Sequence, residues 1–333
     1  MGFTGDALTI TSDKRFVRID SLQIGDRLLS PSGEEIIVKE INSNYNNCGY
    51  ILKLKNFFPI YVSKETDLFT TKILSIYDKT IKKNRYLLKE FSFNNISNIK
   101  QNNLAIINKM DNKEDKSLNN IWLYGKSLLK GKASNKIKNQ IIINNTTTNI
   151  RNYENNVKDF NNIFYGKNNS YKKLFINLKE KELWFEMLNK NLHQRFLEKD
   201  IFDLKQSDVE LFLNSFIKEN TEMFISNNQF KIYIPSKILI TQLFYLMLQN
   251  YNKAPNIELI KKNNWETKEI KQSNKKRLFS ITYHQELKTS FKKKDYFIQE
   301  IDYVSVSNRN LKYFEIKTED NKPFYLYNLI VKG

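Results

Sequence analysis

The chain has 333 residues, enough for two domains, and its 40% hydrophobic and 13% aromatic content can fill a sizeable core. Lys and Arg number 54 against 36 Asp and Glu, a net charge of +18 that favours a polyanionic partner, nucleic acid first; the abundance of Lys, Asn and Ile also fits AT-rich coding DNA, which yields basic chains with no such partner. No apolar run reaches the length of a membrane span, no secretory signal is read ahead of the first strand, and a single cysteine, Cys48, excludes an internal disulfide framework. An intracellular, cytoplasmic protein is expected.

Residues 2–30 read as short strands: Leu8 to Ile10, a polar turn at 12–14, then Phe16, Val17 and Ile19, then Leu22, Ile24, Gly25 and Asp26. Pro31 and Gly33 mark the turn before an apolar run at 36–38. Further strands are predicted at 50–54, 58–62, 73–76, 86–88 and 104–107. Cys48 lies in the turn Asn46-Asn47-Cys48-Gly49 and reads as a small, partly buried residue. His193 and His284 are far apart without ligand-spaced neighbours, so no metal site is expected.

From about residue 113 the period becomes helical. Leu118, Ile121, Trp122, Gly125, Leu128 and Leu129 share one face, with Ser117 placed to cap it. A second helix is predicted over 211–221, preceded by Ser207 and Glu210 in a capping-box pattern. Pro235-Ser236 opens a long amphipathic helix through Ile238, Leu239, Leu243, Leu246 and Met247. Strands are expected at 140–143, 173–178 and 229–234. After about 275 the alternation returns at Val304 and Val306 and at Phe314 and Ile316, and residues 324–333 are strongly apolar.

Two pieces near the start occur in a telling order: Thr4-Gly5-Asp6, then Ile19-Asp20-Ser21-Leu22-Gln23-Ile24-Gly25-Asp26 about a dozen residues later. Together they resemble the opening of an intein, the N-terminal half of the Hint (hedgehog/intein) fold. The stretch 62–70 resembles the second intein block, and 324–333 resembles the penultimate one. The resemblance implies a mainly β, horseshoe-like Hint fold built from residues 2–112 and 276–333. It implies protein splicing without a cofactor: an ester or thioester at the upstream junction, transfer to the downstream flank, and release by cyclisation of a terminal Asn. The partners implied are the flanking extein peptides, and no membrane.

An intein opens on Cys or Ser, whereas Gly2 has no nucleophile and is read as replacing the native first residue. Ser63 keeps the hydroxyl of the family's block Thr. Thr66 stands where the family has a His that hydrogen-bonds the junction amide nitrogen, and a hydroxyl cannot protonate it near neutral pH. Asn328 stands at the block's Asp position. The family continues to a strand ending in His-Asn. The chain is therefore expected to lack its last strand, as an N-terminal fragment or inactivated form that a complementary C-terminal intein peptide would complete by β-addition.

Residues 123–131 and 211–221 resemble the two motifs of LAGLIDADG homing endonucleases. That implies an inserted α+β domain at 113–275, with the motif helices side by side and small residues, Gly125 and Ser215, facing each other. The catalytic Asp positions hold Lys130 and Asn220, and Glu219 is one residue off register, a quarter-turn away. Lysine repels a metal and asparagine anchors it poorly, so cleavage is not expected. Two ordinary amphipathic helices are the alternative reading. The insert's strands would meet double-stranded DNA, with Arg151, Lys172, Lys173 and Lys231 on phosphates, although a solvated basic face reads those residues equally well. A DNA-binding protein derived from a homing endonuclease is the second function expected.

Overall fold

The computed structural model describes residues 2–78, 80, 82–100, 103–108, 116–134, 136–144, 160–168, 171–178, 182–221, 223–226, 229–251, 254–260, 278–284, 290–293, 296–327 and 329–333. The chain divides into two compact units. The first comprises Met1–Asp111, Tyr251–Glu258 and Leu287–Gly333, and the second Asn112–Asn250 and Leu259–Glu286.

The first unit is mainly β, with sixteen strands joined in one continuous ladder. The two ends of the sequence interleave in it. Strand Phe3–Thr4 lies between Ile60–Ser63 and Leu311–Thr318, with Phe3 opposite Val62 on one side and Phe314 on the other. Thr9 faces Leu326. Strand Tyr296–Ser307 serves two neighbours in turn, Asn103–Asn108 along its first half and Gly49–Leu54 along its second, with a register shift between Ile301 and Tyr303. Such an irregularity bends a strand and lets one ladder curl. Phe3, Phe57, Phe297 and Phe324 are among its largest fully buried side chains.

The opening motifs earn their residues in this frame. A Cβ on Gly5 would come within 2.8 Å of the Asp20 Cβ and 2.9 Å of the Phe314 ring. Gly25 has φ of +94°, which favours glycine. Its N–H donates to Val38 O, Val38 N–H donates to Asp26 O, and the Asp26 carboxylate accepts from Gln23 N–H.

The second unit holds helices α1 (Ile121–Lys130), α2 (Gln206–Asn220) and most of α3 (Lys237–Tyr251). One of its sheets runs Gly131–Ala133, Gln140–Asn144, Tyr171–Leu178, Phe160–Asn168. In another, Gln229–Ile234 pairs with Met223–Ser226 and Leu278–His284. Because Leu278–His284 belongs to that ladder, the chain rejoins the first unit near 287, where the sequence expectation had 276. Residues 251–258 also belong with the first unit, and Ile257 N–H donates to Asn56 O at 3.0 Å.

Three local expectations fail here. Ser117 does not cap α1: its hydroxyl donates to the Asp208 carboxylate at 2.9 Å, and Asn120 precedes the helix in a left-handed conformation. Ser207 lies inside α2, whose N-cap residue Lys205 makes no side-chain cap bond. Helix α3 is not amphipathic, since Leu239 through Leu248 are buried without interruption, as in a helix surrounded by core. Its start is as expected, with the Ser236 hydroxyl accepting from Leu239 N–H at 3.1 Å. No helix among the described residues is long and apolar enough to cross a membrane.

Candidate functional site

Gly2 is buried at the head of strand Phe3–Thr4, and the register of that strand brings it to Ser63 at the end of Ile60–Ser63. The Gly2 N–H donates to Ser63 Oγ at 2.8 Å, and Gly2 O accepts from Ser63 N–H at 2.7 Å. The chain then turns, with Thr66 N–H donating to Ser63 O at 3.2 Å. Thr66 Oγ1 donates to Gly2 O at 3.4 Å and lies 3.4 Å from Ser63 Oγ. The directions agree: Ser63 Oγ accepts from Gly2, its own proton points to Thr66 Oγ1, and the Thr66 proton points to Gly2 O. Ile96 N–H on Thr66 O, at 2.8 Å, anchors the turn. Ser63 and Thr66 are 4% and 1% exposed, so water does not compete for these bonds.

Sequence reasoning assigned the junction amide nitrogen to the position of Thr66. In the structure the hydroxyl on the Gly2 nitrogen is that of Ser63, and Thr66 lies on the Gly2 carbonyl. Hydroxyls three residues apart across a tight turn flank the same residue, and only the strand register decides which main-chain atom each meets.

Tyr313 forms the wall of this site. A Cβ built on Gly2 would lie 3.0 Å from the Tyr313 Cβ and 3.3 Å from the Ser63 Cβ and Oγ, so a side chain fits there if its neighbours yield a few tenths of an ångström. Gly49, opposite Ser63 in register, leaves room for the Tyr313 phenol, into which any side chain at 49 would run. Tyr313 is 3% exposed and its hydroxyl has no hydrogen-bond partner among the described residues. Burial pushes its pKa up, and Tyr61 and Cys48 push the same way. Cys48 itself is exposed, contrary to the partly buried expectation.

The C-terminal stretch approaches the same turn. Tyr327 has φ of 48°, its N–H donates to Leu8 O at 2.8 Å and its hydroxyl to Asp6 O at 3.1 Å. Its ring packs on Phe57 and Phe58, with centroids 5.8 and 5.6 Å away. Asn328 lies outside the described residues. Strand Leu329–Val331 pairs with Phe324–Leu326 on one side, and with Leu68 and Ile107 on the other. The strand is therefore not an open edge. Lys332 N–H then donates to Asp67 O at 3.3 Å, one residue from Thr66. Sequence reading passed over Tyr313 and Lys332 because some 250 residues separate them from Ser63. The one available signal for Tyr313 was its place in an apolar alternation beside Phe314 and Ile316.

In the second unit, α1 and α2 meet at Gly125, where a Cβ would come 2.5 Å from Phe212 O and 3.1 Å from Phe216 N. Ser215 is 9% exposed on the facing helix. Glu219 precedes Asn220 in α2. It is fully buried beside Lys130, whose ammonium donates to Glu219 O at 2.5 Å and lies 3.8 Å from its carboxylate. Asn220 donates to Phe216 O at 2.9 Å and to Gly125 O at 3.4 Å, while its own side-chain oxygen is buried without a partner among the described residues. Lys231 is half-buried with its ammonium 5.5 Å from the Tyr233 ring centre. Lys172 and Lys173 lie in strand Tyr171–Leu178, their side chains outside what the structure describes, and Arg151 lies outside the described residues altogether.

No protein-family model matches the sequence, and no curated protein matches it. Among solved structures, the crystal structure of the gp41-1 intein is similar to 28% of this chain and 80% of its own, at 16% identity and a TM-score of 0.19. The crystal structure of the Msm DnaB1 intein splicing domain bound with zinc is similar to 28% of this chain and 78% of its own, at 13% identity and a TM-score of 0.19.

Proposed function

We propose that the first unit is an intein splicing domain of the Hint type, acting on the peptides that flank it, with Gly2 at the upstream junction. One observation carries the reading: the main-chain N–H of Gly2, in the amide to the residue before it, and the C=O of Gly2, in the amide to Phe3, are both held by the turn of Ser63 and Thr66 that also receives Lys332.

The chemistry follows from the clamp. In a splicing domain a thiol or hydroxyl at position 2 attacks the carbonyl carbon of the preceding residue. The new C–S or C–O bond forms, the C–N bond breaks, and the nitrogen takes a proton to become an amine. Ser63 fixes the orientation of that nitrogen, Thr66 fixes the carbonyl of residue 2, and burial keeps water from intercepting the ester. Gly2 has no atom to attack with, so the chain carrying it is inert at this step.

The experiment is Gly2→Cys in the full chain with a reporter peptide ahead of it, incubated with a small thiol. The expected result is thiol-dependent release of the reporter from the Cys variant alone, slowed about a hundredfold when Ser63→Ala is added, in line with the cost of a small misplacement of reacting groups. A folded Gly2→Cys chain that releases nothing defeats the reading.

For the second unit we infer descent from a LAGLIDADG-type endonuclease that no longer cleaves. Two features support it: the contact of α1 and α2 at Gly125, and the Lys130 ammonium beside the buried Glu219 carboxylate, which a divalent cation would have to displace. Plasmid nicking with Mg²⁺ is expected to be absent.

A further inference from the structure

We propose that the two-stranded ribbon formed by residues 72–78 and 82–89 of the first unit is a nucleic-acid contact that enters the major groove of double-stranded DNA. This goes beyond the splicing reading and does not depend on it.

Strand Asp67–Asp78 begins inside the sheet, where Leu68, Thr70 and Thr71 meet Val331, Ala105 and Leu104. Beyond Lys72 its described partners are those of Lys83–Leu88 alone, from Ile73 opposite Leu88 to Asp78 opposite Lys83. Six residues per strand make a ribbon about 20 Å long. An isolated hairpin is marginal in water, and it normally needs a packed face. Here apolar side chains are exposed on both faces: Leu74 and Ile76 are 40% and 48% exposed on one, and Tyr77 and Leu88 are 58% and 38% exposed on the other.

Charge selects the occupant. Residues 72–90 carry six basic residues against two acidic ones, Asp78 and Glu90. The alternation of a strand sends Lys72, Leu74 and Ile76 to one face, and the register adds Lys83 to that face. Lys72, Lys82, Lys83 and Lys89 are exposed. A protein partner covering Leu74 and Ile76 would have to bury these ammonium groups or match them with carboxylates. The major groove meets both needs. Its width admits a two-stranded ribbon, thymine methyl groups take apolar side chains, and phosphates line both rims.

The test uses the full chain and a labelled mixed-sequence duplex, with anisotropy measured across a salt series. Lys72→Ala, Lys83→Ala and Lys82→Asn are combined, Asn being chosen because residue 82 has φ of 51°. The triple variant should bind more weakly on every sequence, and the slope of log K against log salt should fall by about 3. Ile76→Ser should weaken binding with the slope unchanged. Melting temperature should stay at the parent value, since the substituted side chains are exposed. An unaltered slope in the triple variant, or no binding by the parent at low salt, overturns the proposal. So does a parent dimer that Tyr77→Ser dissociates, because the ribbon would then meet a second copy of the chain.

Discussion

Arg195 offers the sharpest test of the second unit's architecture. Its side chain is 4% exposed and no carboxylate lies within ion-pair distance among the described residues. Every acceptor it uses is a main-chain carbonyl: Leu128 O at 2.6 Å, Gly131 O at 2.7 Å, Lys190 O at 3.2 Å, Leu188 O at 3.3 Å and Ser127 O at 3.5 Å. Three of these belong to the last turn of α1 and the residue after it, so the cation also faces the negative end of that helix. Burial pulls its pKa down to about 10, which records the opposing desolvation cost. The two effects compete in Arg195→Met, which keeps the volume and removes the charge. Losing the two short bonds costs about 1.5–3 kcal/mol each and leaves Leu128 O and Gly131 O without their donor, while relief of the buried charge returns several kcal/mol. No charge is left behind, so the cost that remains is that of the unsatisfied buried carbonyls, about 1–3 kcal/mol each, and a net loss of about 2–3 kcal/mol is expected here. Urea unfolding followed by tryptophan fluorescence reads this unit, because Trp122, Trp184 and Trp265 all fall in it and Trp184 stacks on Tyr124 at 5.1 Å. A loss under about 1 kcal/mol with an unchanged slope would mean that water or other donors satisfy those carbonyls, and the claim that Arg195 fastens the end of α1 would be refuted.

Gly125→Ala should destabilise the second unit by about 1–3 kcal/mol or more, since its methyl meets main chain of α2 that cannot rotate aside; the same denaturation assay reads it, and a neutral outcome would mean that the helices are free to separate. Tyr313→Phe removes a buried hydroxyl with no described partner and should leave thermal stability equal or slightly raised, by up to about 1 kcal/mol; a clear loss would reveal a hidden acceptor. Lys126 is buried, and desolvation depresses its pKa, with Lys218 adding and Glu219 opposing. Between that lowered value and the ordinary 10.5 the unfolded chain holds more protons, so this group's contribution to stability rises with pH across the window and is least favourable below it. Lys126→Met should accordingly be more stabilising at neutral pH than near pH 10.5, and a stability difference independent of pH across that range would contradict the assignment.

What could be read from residues alone was what short-range physics decides. The alternation of apolar residues located strands such as Gly49–Leu54 and Asn103–Asn108, and the 3.6 period located α1 and α2. Gly125 was legible as a point of close approach because glycine on an apolar helical face has few other uses. Caps were not legible. Ser117 satisfies the local rule but finds a stronger acceptor in Asp208, 91 residues away. The uninterrupted burial of α3 was hidden because Thr241 and Gln242 look polar. In the fold the Thr241 hydroxyl donates back to Lys237 O, and the Gln242 amide bridges Leu197 N–H and O. Around Gly2, Ser63 and Thr66 were singled out by the resemblance of their stretch to an intein block, but the atom each one meets depends on register. Register is set by the pairing of Phe3 with Val62 and Phe314, which no local window contains. The short segment 251–258 carries no signal of its own, and its attachment to Asn56 exists only after folding.

The pairing of Phe3 with Phe314, and of Thr9 with Leu326, has a consequence for biosynthesis. On the ribosome, each opening strand soon has one neighbour, Ile60–Ser63 for Phe3 and Phe16–Arg18 for Leu8–Ile10, but must wait for more than 300 further residues for the other. The second unit, Asn112–Asn250 with Leu259–Glu286, can meanwhile fold on its own contacts, a local event that precedes closure of the more distant one. A nascent chain stalled after residue 290 should therefore be protease-resistant in its middle and digestible at its start.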